Sequence, residues 1–277
     1  MENQKLTIKD ILTLKGKRKI TMLTAYDFPL AALVDKAGID MILIGDSLAN
    51  VVLGLQSTTE VGMAEMLHHS KAVTRAVKHA LVAGDMPYES YQLKPEDAVR
   101  NARRFIEEAK CDFVKLEWFD KCLSVTGEII KAGIPVMGHI GLTPQTADKI
   151  GGFKVQGKDA EAARRLIEQA AALEKSGCFS ILLECVPDKI AGIISEKLTI
   201  PTIGIGAGVH CDGQVLVIHD LLGLYERFTP KFVRRYVNLA PSIQKALEEY
   251  RDDVIKEKFP GPEHSFTIKE EELQKLK

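Results

Sequence analysis

Cysteine is scarce in this sequence, and the few cysteines present do not pair. There are five, an odd number, and no two of them form a CxxC motif. This distribution excludes a disulfide framework and a structural zinc site of the usual spacing. We therefore expect a protein of the reducing cytoplasm.

The chain also lacks an excess of charge and any long apolar run. Its 37 basic and 38 acidic side chains leave a formal charge of −1, so no long-range field attracts nucleic acid or an anionic membrane. No apolar run approaches the roughly 18 to 20 residues that span a bilayer, and MENQKLTIKD at the N-terminus has no signal-peptide core. We expect neither a nucleic-acid partner nor a membrane association.

Several common catalytic motifs are absent. No GxSxG nucleophile and no P-loop occurs, which argues against a hydrolase of that type and against a nucleoside triphosphatase. The glycines at 204, 206 and 208 have GxGxG spacing, and Val209 stands where the last glycine of a dinucleotide fingerprint would fall. This loop is expected to be a close-packed turn, with phosphate binding as the alternative.

The dominant pattern is a short apolar, β-branched run followed by a longer stretch with helical spacing, repeated about eight times. Most runs are continuous, as expected for strands buried on both faces. Eight such units within about 230 residues predict one α/β domain with the (β/α)8 TIM-barrel fold, and a doubly wound sheet is the alternative. The runs are ITML (20–23), MILIG (41–45), ALVAG (80–84), FVKLE (113–117), PVMGH (135–139), SILLE (180–184), PTIGIG (201–206) and VLVIH (215–219).

Helices are predicted between the strands and after the last one. The segment 95–110 starts with proline and two acids, which favour the positive end of a helix. A final helix is predicted with Thr229 as its N-cap and Pro230 as its first residue, running to about Lys258. We expect a single barrel domain over 1–277 whose C-terminal helix and arm begin at about 230.

Polar residues stand where the predicted strands end. In a barrel, the carboxyl ends of all strands meet at one mouth, where the active sites of this fold lie. The residues at these ends are Asp46, Ser47, Asp85, Glu117, His139 and Glu184.

Four of these residues are acids, which together suggest a cation. Carboxylates a few ångströms apart repel by about 4 kcal/mol per pair at an effective dielectric constant near 20. Such a cluster needs a cation or raised pKa values. Oxygen ligands without an accompanying Cys and His set favour Mg²⁺. The alternative is that each acid is a solvated loop residue or a helix N-cap.

Two further residues have two interpretations each. Lys115 lies two residues before Glu117, so both side chains point to the same side of a strand. Lys115 either binds an anionic carboxylate or oxyanion, or it forms a structural ion pair. His139 either hydrogen-bonds a substrate or is a packed residue of the barrel interior.

Nine motifs, in order along nearly the whole chain, resemble the ketopantoate hydroxymethyltransferase family. Their combination is far more specific than any one of them. They are MLTAYD (22–27), GDSLANVVLG (45–54), DMPYESY (85–91), VKLE (114–117), GHIGLTPQ (138–145), GGFKVQG (151–157), LECVP (183–187), GIGAGVHCDGQVLVIHDLLGL (204–224) and PKFVRRY (230–236).

This resemblance implies a barrel of the phosphoenolpyruvate/pyruvate type and a one-carbon transfer reaction. The implied reaction joins 3-methyl-2-oxobutanoate, 5,10-methylenetetrahydrofolate and water to give 2-dehydropantoate and tetrahydrofolate, on the pathway to pantothenate and coenzyme A. It also implies a large homo-oligomer, a decamer of two stacked pentameric rings.

The resemblance also implies roles for individual residues. Glu184 matches the family's proton acceptor, and Asp46, Asp85 and Glu117 match its Mg²⁺ site. The positions implied to contact or line the site of the keto acid are Asp46, Ser47, Asp85, Lys115 and His139.

The sequence departs from the family pattern next to these acids without replacing any of them. Ala49, Asn50, Gly84 and Trp118 stand where glycine, methionine, alanine and glycine are expected. Two rival functions stay open: another Mg²⁺-dependent enzyme that forms or cleaves a bond beside a 2-oxo acid, and a non-catalytic sensor of keto acid or metal.

Overall fold

Eight parallel strands form a closed barrel in the structure, a computed structural model that describes residues 4–92 and 94–276. Neighbouring strands pair in chain order, and the last pairs with the first, with Gly213 opposite Ile20. The predicted (β/α)8 barrel is confirmed, and the doubly wound sheet is wrong. The strands are β1 (Ile20–Thr24), β2 (Met41–Ile44), β3 (Leu81–Asp85), β4 (Phe113–Glu117), β5 (Val136–Gly141), β6 (Ser180–Glu184), β7 (Thr202–Ile205) and β8 (Gly213–Leu216).

Helices connect successive strands from β1 to β7, and each of these connections contributes a helix with buried residues. The predicted helix at 95–110 is observed as Pro95–Glu107, with Ala98, Ala102 and Phe105 buried. The helices in the described part of the chain are α1 (Ile8–Leu14), α2 (Phe28–Lys36), α3 (Leu48–Val51), α4 (Met63–Ala76), α5 (Pro95–Glu107), α6 (Cys122–Lys131), α7 (Ala160–Lys175), α8 (Asp188–Lys197), α9 (Ile218–Leu222), α10 (Leu239–Ile255) and α11 (Glu270–Gln274).

The inside of the barrel is packed with apolar side chains. β2, β3 and β4 are buried along their whole length, as their continuous apolar runs predict. The core includes Met22, Met41 and Phe113, and the ring of Phe113 meets that of Phe179 edge-on with 4.9 Å between centroids. The barrel therefore has a filled apolar core, and most of its buried acids lie at the carboxyl ends of the strands.

Gly84 occupies a position at which the barrel has no room for a larger residue. A Cβ atom added there would lie 2.3 Å from Cδ1 of Phe105, a side chain of α5 that is fully buried. The absence of a side chain at Gly84 is therefore matched by the bulk of Phe105.

We predict that Gly84→Ala lowers the free energy of unfolding by about 1–3 kcal/mol, because overpacking displaces the phenyl ring. The double variant Gly84→Ala/Phe105→Leu should recover part of the loss. Urea denaturation of the three proteins is the measurement. An alanine variant as stable as the parent would show that α5 moves freely, contrary to this prediction.

The eighth strand lies earlier than predicted. It was expected at 215–219, but β8 spans Gly213–Leu216, and Ile218 already begins α9. A Cβ at Gly213 would lie 2.5 Å from the Ile20 carbonyl oxygen, so only glycine allows this close approach to β1. The Ile218 N–H donates to Thr24 Oγ1 at 3.0 Å instead of continuing the strand.

The last long helix begins later than predicted, and the expectation that Thr229 and Pro230 start it is wrong. Pro230 begins a single turn, closed by the Val233 N–H donating to the Pro230 carbonyl at 3.0 Å. Phe232 packs against the apolar core of the barrel, which fixes this segment as a turn. Asn238 instead precedes α10, which ends at Ile255.

The chain divides into two compact units. The first contains the barrel through His219 together with Pro230–Val233, and the second contains Asp220–Thr229 and the chain from Arg234 onward. A single domain over 1–277 with a C-terminal arm stays a prediction. Within the described residues, no helix has both the length and the hydropathy that a membrane crossing requires.

Candidate active site

The structure places the predicted site residues at the carboxyl ends of five neighbouring strands. Asp85, Glu117 and Glu184 are the last residues of β3, β4 and β6, His139 lies in β5, and Asp46 lies two residues after the end of β2. All of these except Glu184 are buried, with Asp46 the most exposed of the four at 6%. Asp46, Asp85 and Glu117 are buried, which contradicts the solvated-loop part of the alternative.

Asp85 and Lys115 form a buried ion pair. Lys115 Nζ donates to both carboxylate oxygens of Asp85 at 2.7 Å, and the Asp46 N–H donates to Asp85 Oδ2 at 3.1 Å. Burial raises the pKa of Asp85 to about 6, against the opposing charge of Lys115 and with the help of the nearby charge of Asp46. Burial acts to lower the pKa of Lys115, but the carboxylates outweigh it and raise that pKa. Lys115 is thus a fixed cation inside the acid cluster.

His139 lies between two carboxylates. Its Nδ1 is 3.4 Å from Glu117 Oε1, and its Nε2 is 3.3 Å from Glu184 Oε2. Neither contact has hydrogen-bond alignment. Burial and Lys115 act to lower the pKa of His139, but Glu117 and Glu184 raise it to about 9. A cationic imidazole therefore connects the buried Glu117 with Glu184, whose side chain is 17% exposed.

Gln145 connects the acid cluster, although sequence reasoning assigned it no role. Its side-chain amide donates to Asp46 Oδ2 at 3.0 Å, and its N–H donates to Glu117 Oε2 at 3.1 Å. Tyr91 donates to Gln145 Oε1 at 2.6 Å. The only sequence signal was its place in the GHIGLTPQ motif.

Ser47 also has a partner that the sequence did not indicate. Its Oγ lies 2.7 Å from the hydroxyl of Tyr26. Tyr26 is buried and follows β1 within the MLTAYD motif. The hydroxyl of Ser47 is therefore oriented from the neighbouring strand.

The glycine-rich loop after β7 is closely packed. A Cβ at Gly206 would lie 2.8 Å from the Phe232 ring, and one at Gly208 would lie 2.5 Å from Cβ of Asp188. Both glycines have a positive φ. These contacts favour the close-packed turn over a phosphate site.

The donor set of the cluster suits a hard divalent cation bound by few protein ligands. In the described part of the chain, no three His, Cys, Asp or Glu side chains are arranged to hold one metal ion together. Mg²⁺ commonly takes one or two carboxylates and completes its shell with water and substrate oxygens. Asp46 and Asp85 supply neighbouring carboxylates, and Oε1 of Glu117 is a buried oxygen without a hydrogen-bond donor among these residues. The residues therefore fit Mg²⁺.

Solved structures similar to this chain support the fold type. Phosphonopyruvate hydrolase aligns with a TM-score of 0.60 at 11% identity, covering 97% of this chain and 94% of the other. The phosphoenolpyruvate phosphomutase of Streptomyces platensis subsp. rosaceus aligns with a TM-score of 0.60 at 13% identity, covering 91% and 88%. These structures support the (β/α)8 barrel fold of this chain.

Sequence relatives have a much higher identity to this chain than these solved structures do. Three enzymes called 3-methyl-2-oxobutanoate hydroxymethyltransferase align over nearly their whole length. That of Syntrophomonas wolfei subsp. wolfei is 57% identical, with 95% of each chain covered. That of Syntrophobacter fumaroxidans is 55% identical, covering 100% of this chain and 98% of the relative. That of Enterococcus faecalis is 51% identical, with each chain fully covered.

A family model of ketopantoate hydroxymethyltransferase matches residues 5–262. This range includes every residue of the acid cluster and all eight strands. The agreement of motifs, barrel and full-length relatives leads to one conclusion: the chain belongs to the ketopantoate hydroxymethyltransferase family.

Proposed function

We propose that the protein transfers a hydroxymethyl group from 5,10-methylenetetrahydrofolate to 3-methyl-2-oxobutanoate, giving 2-dehydropantoate and tetrahydrofolate for pantothenate biosynthesis. The observation that carries this proposal is the separation of Glu184 from the other acids. Glu184 is partly exposed and contacts His139, whereas Asp46 and Asp85 lie together beside Lys115. One carboxylate can thus act as a base while the others bind.

Glu184 is the proposed general base. It takes the proton from the third carbon of the keto acid. That carbon then forms a bond with the one-carbon unit, and both bonds from that unit to the two folate nitrogens break. Water supplies the new hydroxyl, and the proton from the third carbon and one proton from water end on the two folate nitrogens. The imidazolium of His139, 3.3 Å away, orients the Glu184 carboxylate.

The binding roles follow from charge and position. Lys115 and Ser47 are proposed to bind the carboxylate and keto group of the substrate, with His139 lining the site. Asp46 and Asp85 are proposed to hold Mg²⁺, with Glu117 belonging to the same site. When bound, Mg²⁺ stabilises the negative charge that develops on the keto oxygen. One structural neighbour, phosphonopyruvate hydrolase, is described in complex with oxalate and Mg²⁺.

Magnesium affinity should increase as the pH rises through the pKa values of the cluster. Burial raises the pKa of Asp85 to about 6 and that of Glu117 to about 7. Each carboxyl therefore keeps its proton to a higher pH than usual, and the proton competes with the cation. Calorimetry at pH values below and above this range, in buffers of different ionisation enthalpy, should show tighter binding and less proton release at the higher pH. An affinity that does not change with pH would contradict this.

The folate donor distinguishes the proposed function from its rivals. Purified protein with Mg²⁺, 3-methyl-2-oxobutanoate and 5,10-methylenetetrahydrofolate should form 2-dehydropantoate, and omission of the folate should stop product formation. A lyase or aldolase-like enzyme would act on a 2-oxo acid without folate. A sensor would bind the keto acid and turn nothing over.

We also propose a cytoplasmic homo-oligomer, a decamer of two stacked pentameric rings. α10 supports self-association because it exposes apolar side chains along one stripe with helical spacing. These are Ile243, Leu247, Tyr250 and Val254.

A further inference from the structure

A cavity lies beside the acid cluster. Its volume is about 650 Å³, within the range of small-molecule sites. None of the proposed keto-acid residues is among its described lining residues. They are Gln92, Trp118, Phe119, Asp120, Lys121, Gly141, Thr143, Thr146, Gln156, Gly157, Ala162, Arg165, Leu166 and Gln169.

The inner wall of this cavity adjoins the proposed base. Gly141 pairs with Glu184 across β5 and β6, and Leu142 donates its N–H to the Glu184 carbonyl at 2.8 Å. Trp118 directly follows Glu117 and donates its N–H to the His139 carbonyl at 2.9 Å. A molecule in the cavity would therefore lie next to the backbone that positions Glu184 and His139.

The lining combines an aromatic surface with one buried polar group that has no partner among the described residues. Trp118 and Phe119 are half-buried, and the Phe119 ring is fixed edge-on against Tyr91 with 5.3 Å between centroids. Gln92 Nε2 is a buried donor without an acceptor among the described residues. Flat heteroaromatic rings with a carbonyl at the edge suit this combination.

The cavity also carries cationic side chains from two elements. Lys121 and Arg165 are exposed and come from the N-terminal side of α6 and from α7. Arg165 pairs with Glu161 on the surface of α7, an exposed ion pair of a kind that contributes little. Its guanidinium is therefore available to an anionic group of a ligand.

We propose that this cavity binds the pterin of the folate donor against Trp118, with Arg165 holding the glutamate carboxylate. This inference rests on the proposed function and adds the location of the second substrate. The keto acid, with only five carbons, is too small to need this cavity. Trp118 lines the cavity and gives the pterin a stacking surface.

The only tryptophan in the sequence is Trp118, so its fluorescence reports on this cavity alone. Titration of the Mg²⁺-loaded protein with tetrahydrofolate should quench the emission saturably, after correction with free N-acetyltryptophanamide for absorption by the ligand. 3-Methyl-2-oxobutanoate alone should quench little. ADP serves as a comparison ligand, because its purine and anionic phosphates resemble the pterin and the glutamate carboxylates of folate in chemistry.

Variants separate the two parts of the proposed site. Trp118→Gly should raise the KM for methylenetetrahydrofolate about tenfold while the KM for the keto acid changes less than about twofold. Arg165→Gln should weaken the binding of tetrahydrofolate but not the binding of a tetrahydropterin without glutamate. Arg164 is an exposed neighbour outside the cavity, so Arg164→Gln should weaken the binding of neither ligand.

Failure of this inference is distinguishable from failure of the proposed function. Folate-dependent turnover with an unquenched Trp118, or quenching by ADP but not by tetrahydrofolate, would overturn the cavity assignment and leave the function intact. Absence of both turnover and proton exchange at the third carbon would overturn the function itself.

Discussion

Replacing Glu184 with glutamine is expected to lower kcat by about 10²–10⁴-fold, the usual contribution of a general base. Glutamine has nearly the same shape, so the barrel and the contact with His139 keep their geometry. It cannot accept the proton from the third carbon. The measurement is steady-state kinetics at saturating keto acid, folate and Mg²⁺, with circular dichroism to verify the fold.

Glu107→Gln is the matched control. Glu107 is an exposed acid on α5, with a side chain 67% exposed, and its replacement should leave kcat unchanged. The smallest loss of kcat expected on removal of a general base is about 100-fold. If Glu184→Gln lost less than about tenfold, another group would have to be the base.

Replacing Lys115 with methionine is expected to lower the free energy of unfolding by about 3–5 kcal/mol. The substitution removes the partner of Asp85 and leaves an uncompensated buried charge. Both oxygens of Asp85 lose their 2.7 Å contacts with Nζ. Activity should also fall, because the buried cation proposed for the substrate carboxylate is gone. Urea denaturation and the KM for keto acid measure the two effects.

A second substitution separates stability from function. Asp85→Asn/Lys115→Met removes both charges and should recover most of the stability, while activity stays lost. Lys131→Met is the surface control, since Lys131 is 74% exposed, and should change stability by less than about 0.5 kcal/mol. A Lys115→Met variant as stable as the parent protein would show that the Asp85 carboxyl is neutral, or that its charge is otherwise compensated, in the folded protein.

The strand positions were predictable where an apolar run ends in an acid. FVKLE and SILLE match β4 and β6 residue for residue, because in each segment the change from apolar residues to a glutamate marks the end of the strand. β8 was misplaced because its start depends on Gly213 fitting against Ile20, which is a property of the closed barrel. Pro230 is a good local helix start, but the packing of Phe232 on the core overrides it.

The site was predictable as far as strand ends determine it. The rule that carboxyl ends converge brought Asp85, Glu117 and Glu184 to one mouth. The choice of partners was not predictable, because Lys115 reaches Asp85 through the β3–β4 register. Gln145 was missed because it carries no charge and its contacts come from three different strand ends.

The most direct test of the proposed chemistry is proton NMR of 3-methyl-2-oxobutanoate in deuterium oxide with the protein and Mg²⁺, without and then with tetrahydrofolate. We predict loss of the third-carbon proton signal in the parent protein and its persistence in Glu184→Gln and in parent protein treated with a chelator. A signal that persists in the parent under both conditions, with the protein folded and Mg²⁺ bound, would contradict proton abstraction by Glu184.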